Sequence, residues 1–145
     1  MQAEPGTYAL VLESQSWQQI QVGRWRALEL RPGYYVYIGS AFGPGGLRAR
    51  VARHFRQEKK LRWHIDYLRV HTTPLGVWLS NGPLRLEHIW ATRLARSDGF
   101  TPLPGFGSSD CRCQSHLFQT ERVERLAPLL DEVNEQTDWW PCPDF

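Results

Sequence analysis

Apolar residues along the chain alternate between the two-residue beat of strands and the four-residue beat of helices. Gly6 to Glu13 (GTYALVLE) is rich in aliphatic residues and predicts a first strand. Ile20 to Val22 and Trp25 to Leu30 predict a hairpin, with Gly23-Arg24 near its turn. Pro32-Gly33 is a turn signal, and Tyr34 to Ser40 (YYVYIGS) follows as a strongly strand-like segment. The run AFGPGG, from Ala41 to Gly46, breaks that strand. Leu47, Val51 and Phe55 then recur every four residues and predict a helix from Leu47 to Gln57. A shorter helix is expected over Trp63 to Val70, and a strand near Val77 to Leu79.

Asn81-Gly82-Pro83 suits a helix start, with proline at the first helical position, and predicts a helix from about Leu84 to Arg96. Thr101 to Cys113 is loop-like and longer than a plain connection needs. His116 to Phe118 reads as a short strand, and Glu121 to about residue 135 as a helix. Trp139-Trp140-Pro141 is expected to fold back and cap the core. No internal repeat or linker interrupts the pattern. The expected fold is therefore one α/β (α+β) domain over residues 1–145, with a small, mostly antiparallel central sheet flanked by helices.

Composition adds limits. A chain of 145 residues can close a core without staples. No apolar run approaches the roughly 20 residues needed to span a bilayer. The opening MQAEPGTYAL lacks a basic segment followed by an apolar one, so secretion is not expected. Three cysteines are an odd count, and Cys111 and Cys113 lie too close for an ordinary disulfide framework. A cytoplasmic protein with no membrane partner is the expectation. The net charge of +2 conceals an asymmetry: seven basic residues face one acid between Gly45 and Arg62, and seven acids face two arginines after Thr120. The basic stretch could meet a polyanion or simply be a solvated helix face.

Three features point toward phosphodiester chemistry. Arg50 and His54 lie one turn apart beside the stripe of Leu47, Val51 and Phe55. An arginine at a core edge is held as a phosphate clamp must be, although pairing with a structural carboxylate fits the same pattern. Arg48, Arg53 and Arg56 would point outward and join Lys59, Lys60 and His64 as nucleic-acid contacts. Glu87 shares a helix face with Trp90, Ala91 and Leu94, where a carboxylate needs compensation by a hard metal ion, a helix terminus or an arginine. Tyr8, Tyr35 and Tyr37 fall on predicted strands, the last two on one face and Tyr34 on the other. They could pack, or relay a proton beside a metal-bound water.

In order, Gly6-Thr7-Tyr8, Tyr37-Ile38-Gly39, Arg50 with His54, and Glu87 resemble the signature of the GIY-YIG nuclease superfamily. The runs YYVYIGSAFGPGGLRARVARH, WHIDYL and GFGSSDCRCQSHLF resemble its Uri-type endonuclease branch, so the likeness extends from Gly6 to about Phe118. The resemblance implies a metal-dependent endonuclease that leaves a 5′-phosphate and a 3′-hydroxyl. It implies that Tyr8 positions or deprotonates the attacking water, with Tyr37 beside it. Arg50 would stabilise phosphate charge, His54 would support the tyrosines or join proton transfer, and Glu87 would anchor one Mg²⁺ or Mn²⁺ ion. It points to nucleic acid as partner, DNA ahead of RNA, with a role in DNA repair. Thr7 stands where the family has an aliphatic residue, and Tyr8 and Tyr37 are unusually far apart, which implies an inserted hairpin at about residues 15–31.

A late asparagine of many members has no counterpart, and Ser108, Ser109, Asp110 and His116 are candidates to line the cleft instead, with Asp110 as a second metal ligand. Cys111, Cys113 and His116, with Cys142, invite a zinc reading, but the Cys-x-Cys spacing is unusual for a structural site and favours packed cysteines. His71 and His88 carry no signal of their own. A non-catalytic nucleic-acid-binding module on the same scaffold is the alternative, with tryptophan and tyrosine stacking on bases.

Overall fold

A computed structural model describes residues 1, 3–57, 59–107, 113–131 and 137–143. Its architecture is α+β. The strands are β1 (Gly6–Ser14), β2 (Gln18–Val22), β3 (Arg26–Leu30), β4 (Gly33–Ala41), β5 (Thr73–Asn81), β6 (Phe100–Pro102), β7 (Leu117–Thr120) and β8 (Asp138–Pro141). The helices are α1 (Gly46–Phe55), α2 (His64–Arg69), α3 (Glu87–Ala95) and α4 (Leu126–Asp131), the last preceded by a 3-10 turn at Val123–Arg125. Six strands form an antiparallel sheet in the order β6-β7-β4-β1-β5-β8, and β2 pairs with β3 as a separate hairpin. Among the described residues no helix is long and apolar enough to cross a membrane.

β1 lies inside the sheet, and both of its faces are covered. Tyr8, Leu10 and Leu12 point into a core built with Leu47, Val51 and Phe55 of α1, Ile65 and Leu68 of α2, and Ile20, Val22, Leu28 and Leu30 of the hairpin. Ala9 and Val11 point the other way, against Trp90, Ala91 and Leu94 of α3 and Leu126 and Leu130 of α4. The two-residue alternation of a strand thus assigns each side chain to one of two helical layers. Full burial of Leu10, Leu12, Leu47 and Val51 contributes about 1.5–3 kcal/mol each.

Several boundaries differ from the sequence expectation. Pro83 does not start a helix; α3 begins at Glu87, where Thr7 Oγ1 accepts the Leu86 N–H at 3.2 Å. The predicted loop from Thr101 contains β6, which pairs with β7. The helix expected from Glu121 shortens to the 3-10 turn and α4 among the described residues. Trp139 and Trp140 do not cap the core: they form β8, an edge strand against β5, and remain 40% and 41% exposed. Trp139 lies against Trp78, with ring centroids 5.1 Å apart.

The end of α1 is held by Arg69, which is 5% exposed. Its guanidinium donates to the carbonyls of His54, Phe55 and Thr72, each at 2.9 Å. These are carbonyls that a helix end or turn leaves without ladder partners. Replacing Arg69→Met keeps the bulk, strands the Phe55 and Thr72 oxygens and leaves that of His54 only the longer contact with Lys59. The expected loss is about 2–4 kcal/mol, read as a lower urea midpoint at unchanged slope.

Candidate active site

The first cluster forms where β1 passes under α1. Tyr8 is buried, and its hydroxyl lies 2.6 Å from His54 Nε2. The Tyr8 ring lies over Gly39, its Cα partner across β1 and β4. A Cβ there would come within 2.4 Å of the Tyr8 ring and hydroxyl, so the glycine makes the space that the tyrosine occupies. Tyr37 completes the group, with its ring 6.5 Å from Tyr8 and 6.0 Å from His54. Tyr35, on the same face, instead hydrogen-bonds the Arg31 backbone and serves the core.

Burial sets the protonation of this cluster. It holds the Tyr8 phenol well above its ordinary value, with Tyr37 adding to the rise and the Arg50 guanidinium opposing it. Tyr37 is raised as well, first by burial and then by the Glu87 charge. Burial, with Lys59 adding to it, lowers His54 to about 3. At neutral pH the pair is therefore a phenol beside a neutral imidazole. Whichever nitrogen carries the proton, His54 Nδ1 is buried with no hydrogen-bond partner.

Arg50 is half-buried, with its guanidinium 4.5 Å over the Trp63 ring. It borders a small cleft of about 140 Å³ lined by Ala41, Gly43, Pro44 and Ala49. Arg53 does not point to solvent as expected. It makes a two-pronged ion pair with the fully buried Asp66, at 2.6 and 2.7 Å. Asp66 also accepts the N–H groups of Arg62 and Trp63, both at 2.9 Å. Burial opposes ionisation of Asp66, but these partners outweigh it and hold its pKa below the usual value. Lys59 is likewise drawn inward: Nζ donates to the Arg53 carbonyl at 2.8 Å and lies 3.8 Å from Asp66. Its pKa falls to about 8, chiefly through burial. Arg53 and Lys59 are thus structural cations, while Arg48, Arg56 and Lys60 are exposed.

Glu87 starts α3, on the opposite side of the sheet from α1. It accepts from Ser40 Oγ at 3.0 Å and lies 3.1 Å from His116 Nδ1. Burial raises its pKa, but the His116 and Ser40 contacts outweigh this and leave the carboxyl below its usual value. Glu87 is therefore ionised at neutral pH, and the α3 N-terminus favours that charge. Its field reaches both Tyr8 and Tyr37. Gly107, with φ +67°, passes between the groups: a Cβ there would lie 3.2 Å from the Tyr37 ring and 3.4 Å from His116 Cβ. The carboxylate and the tyrosines accordingly meet at one end of the sheet.

His64 stacks on Trp25 of the hairpin at 4.8 Å and meets Phe106 edge-on at 5.5 Å. Phe106 is fully buried, and the sequence pattern gave no sign of it beyond an apolar residue in a Gly-rich loop. Ser108, Ser109, Asp110 and Cys111 lie outside the described residues. His116 is buried and reaches Glu87. His88, which carried no sequence signal, lies with Nδ1 3.2 Å from Cys113 Sγ. Cys142 follows β8 and packs against the α1-side core, away from that pair.

The low pKa of His54 has a thermodynamic consequence. The unfolded chain takes up the proton near pH 6.5, whereas the folded one resists until about 3. Stability contributed in full above about 6.5 is therefore lost as the pH falls, at up to about 1.4 kcal/mol per unit. Carboxylates enter only below about pH 4.5, so the interval above that belongs to histidine. His54→Gln should reduce the loss between pH 6.5 and 4.5, leaving the part due to His64, which burial also lowers, as measured by urea unfolding at stepped pH.

No curated protein and no solved structure matches the chain. A family model matches residues 7–139, the family being described as a domain of unknown function, DUF123. That match takes in β1 through the start of β8 and every described candidate residue of the site, and the chain belongs to the DUF123 family.

Proposed function

We propose that this protein is a metal-dependent endonuclease of the GIY-YIG type, which hydrolyses phosphodiester bonds in nucleic acid, with DNA as the substrate. The observation that carries the reading is the buried 2.6 Å contact between Tyr8 and a neutral His54, with the half-buried Arg50 and the ionised Glu87 converging on the same sheet end. A purely structural core has no need of a phenol, an imidazole, a guanidinium and a carboxylate arranged in this way. The assignment to that superfamily rests on the ordered residues Tyr8, Tyr37, Arg50, His54 and Glu87.

Tyr8, kept as a phenol by burial, positions the attacking water, and the neutral His54 holds that phenol in place through the 2.6 Å contact at Nε2. Tyr37 orients the water from the side of Glu87. Arg50 donates to the non-bridging phosphate oxygens, where charge builds in the transition state. Glu87 suits a hard divalent ion: it is ionised, 22% exposed, and each oxygen keeps a lone pair after serving Ser40 or His116. Glu87 would hold an Mg²⁺ or Mn²⁺ ion, which would supply Lewis acidity at the phosphate and at the leaving oxygen. Arg48, Arg56 and Lys60 extend the positive surface along the backbone of the substrate.

The test is cleavage of labelled single- and double-stranded DNA and RNA with Mg²⁺, Mn²⁺ or chelator. Arg50→Ala, Glu87→Gln and Tyr8→Phe should each lower the rate by about 10²-fold or more, and chelator should abolish it. Binding without cutting in every condition would replace this reading with a non-catalytic nucleic-acid-binding module.

A further inference from the structure

A second cluster of ligating side chains stands behind Glu87. His88 lies on the exposed outer side of α3, Cys113 precedes β7, and His116 is buried at its start. One donor atom from each lies within 4.8 Å of the others, and His88 Nδ1 is 3.2 Å from Cys113 Sγ. Two ligands around a tetrahedral zinc ion, one nitrogen and one sulfur, stand roughly 3.5 Å apart given their usual bond lengths. The spacing therefore fits an ion with little rearrangement. We propose that His88, Cys113 and His116 form a zinc site, distinct from the oxygen-ligand position at Glu87.

The donor chemistry selects the ion. Two imidazoles and a thiolate suit zinc and exclude magnesium and calcium, which take oxygen. The same ligand set with an axial methionine would suit copper, but the single methionine, Met1, packs against the α1-side core. Glu87 takes the outer role that carboxylates play behind metal-bound histidines. Its carboxylate lies 3.1 Å from His116 Nδ1, on the side of the ring that leaves Nε2 for the ion. Three protein ligands leave a fourth position for water or another group. The loop that carries Cys113 is tied to this place by its backbone: His116 N–H donates to the Phe106 carbonyl and Gly105 N–H to that of Gln114, both at 2.9 Å. The site requires nothing of the nuclease reading.

The test uses the full chain, stripped with chelator and titrated with Co²⁺ alone. A tetrahedral cobalt–thiolate site gives a near-ultraviolet charge-transfer band with strong visible bands, whereas cobalt on the Glu87 carboxylate gives no thiolate band. One Co²⁺ per chain is expected, displaced by Zn²⁺, with the band lost in His88→Ala and Cys113→Ser and kept in Cys142→Ser. His88 is exposed, so its variant folds even if the cysteine variant does not. Glu87→Gln should keep the band and weaken affinity about 10-fold or more. No thiolate band in the wild type, or a band that survives His88→Ala, overturns the proposal. Because the readout is spectral, it stands apart from whether nucleic acid is cut.

Discussion

The sheet's inner strand has no solvent face, and this constraint organises the molecule. Every side chain from Tyr8 to Leu12 must be covered, so the chain builds one layer from α1, α2 and the hairpin and another from α3 and α4. A polar group on such a strand must bring its partner with it. Tyr8 finds His54 from the first layer, and Thr7, one residue earlier and on the opposite face, receives the Leu86 amide from the second. The two neighbours on β1 thus dock the two helices that carry the candidate chemistry. Glu87 is brought to the sheet end by the same hydrogen bond that starts α3. Thr7 has a use for its polar side chain in a buried strand: its hydroxyl satisfies an amide at a helix start that has no side-chain cap.

Charge within the basic stretch is divided by one buried carboxylate. Asp66 binds Arg53, draws in Lys59 and caps the start of α2 through the Arg62 and Trp63 amides. Removing a buried carboxylate from such partners costs more than its pairing gains, because the cations would be left without compensation. Arg53 lies 4.1 Å over the Trp63 ring and Arg50 4.5 Å over the same ring. With Arg53 tied to Asp66, Arg50 keeps its charge for the cleft. The linear sequence shows seven cations in a row of eighteen residues; only the fold separates those that neutralise Asp66 from those that face outward.

Legibility followed periodicity and failed where tertiary contacts decided. The strands at Gly6 and Tyr34 and the helix at Leu47 were plain in the sequence because apolar spacing alone specifies them. The start of α3 was misplaced, since Pro83 is a local signal and the Thr7–Leu86 bond is a long-range one. β6 and β8 are short, and β8 remains largely exposed; both exist by pairing with β7 and β5, which no local pattern announces. Tyr8, His54, Arg50 and Glu87 were identifiable as residue types at suggestive spacings, yet Arg53 looked equivalent to Arg48 because its partner, Asp66, lies on another helix. His88 was missed for the same reason: its neighbours in space arrive 25 and 28 positions later.

The hairpin expected as an insertion has a structural role at the site. Arg26 donates to the Pro104 carbonyl at 2.9 Å, and Trp25 meets Phe106 edge-on at 5.6 Å. Both contacts brace the loop from Leu103 to Gly107, whose backbone ladder with residues 114–117 sets His116 beside Glu87. A chain of contacts therefore runs from the hairpin, through the loop, to the carboxylate. Glu87 is the junction of both proposals, as ligand to a hard ion on one side and as partner to a zinc-bound histidine on the other. A cation on the His116 side strengthens the pull on the carboxylate and lowers its basicity toward the other ion. Ser40, which holds the second oxygen, limits how far the carboxylate can swing toward either. The two sites would thus be electrostatically coupled through a single side chain.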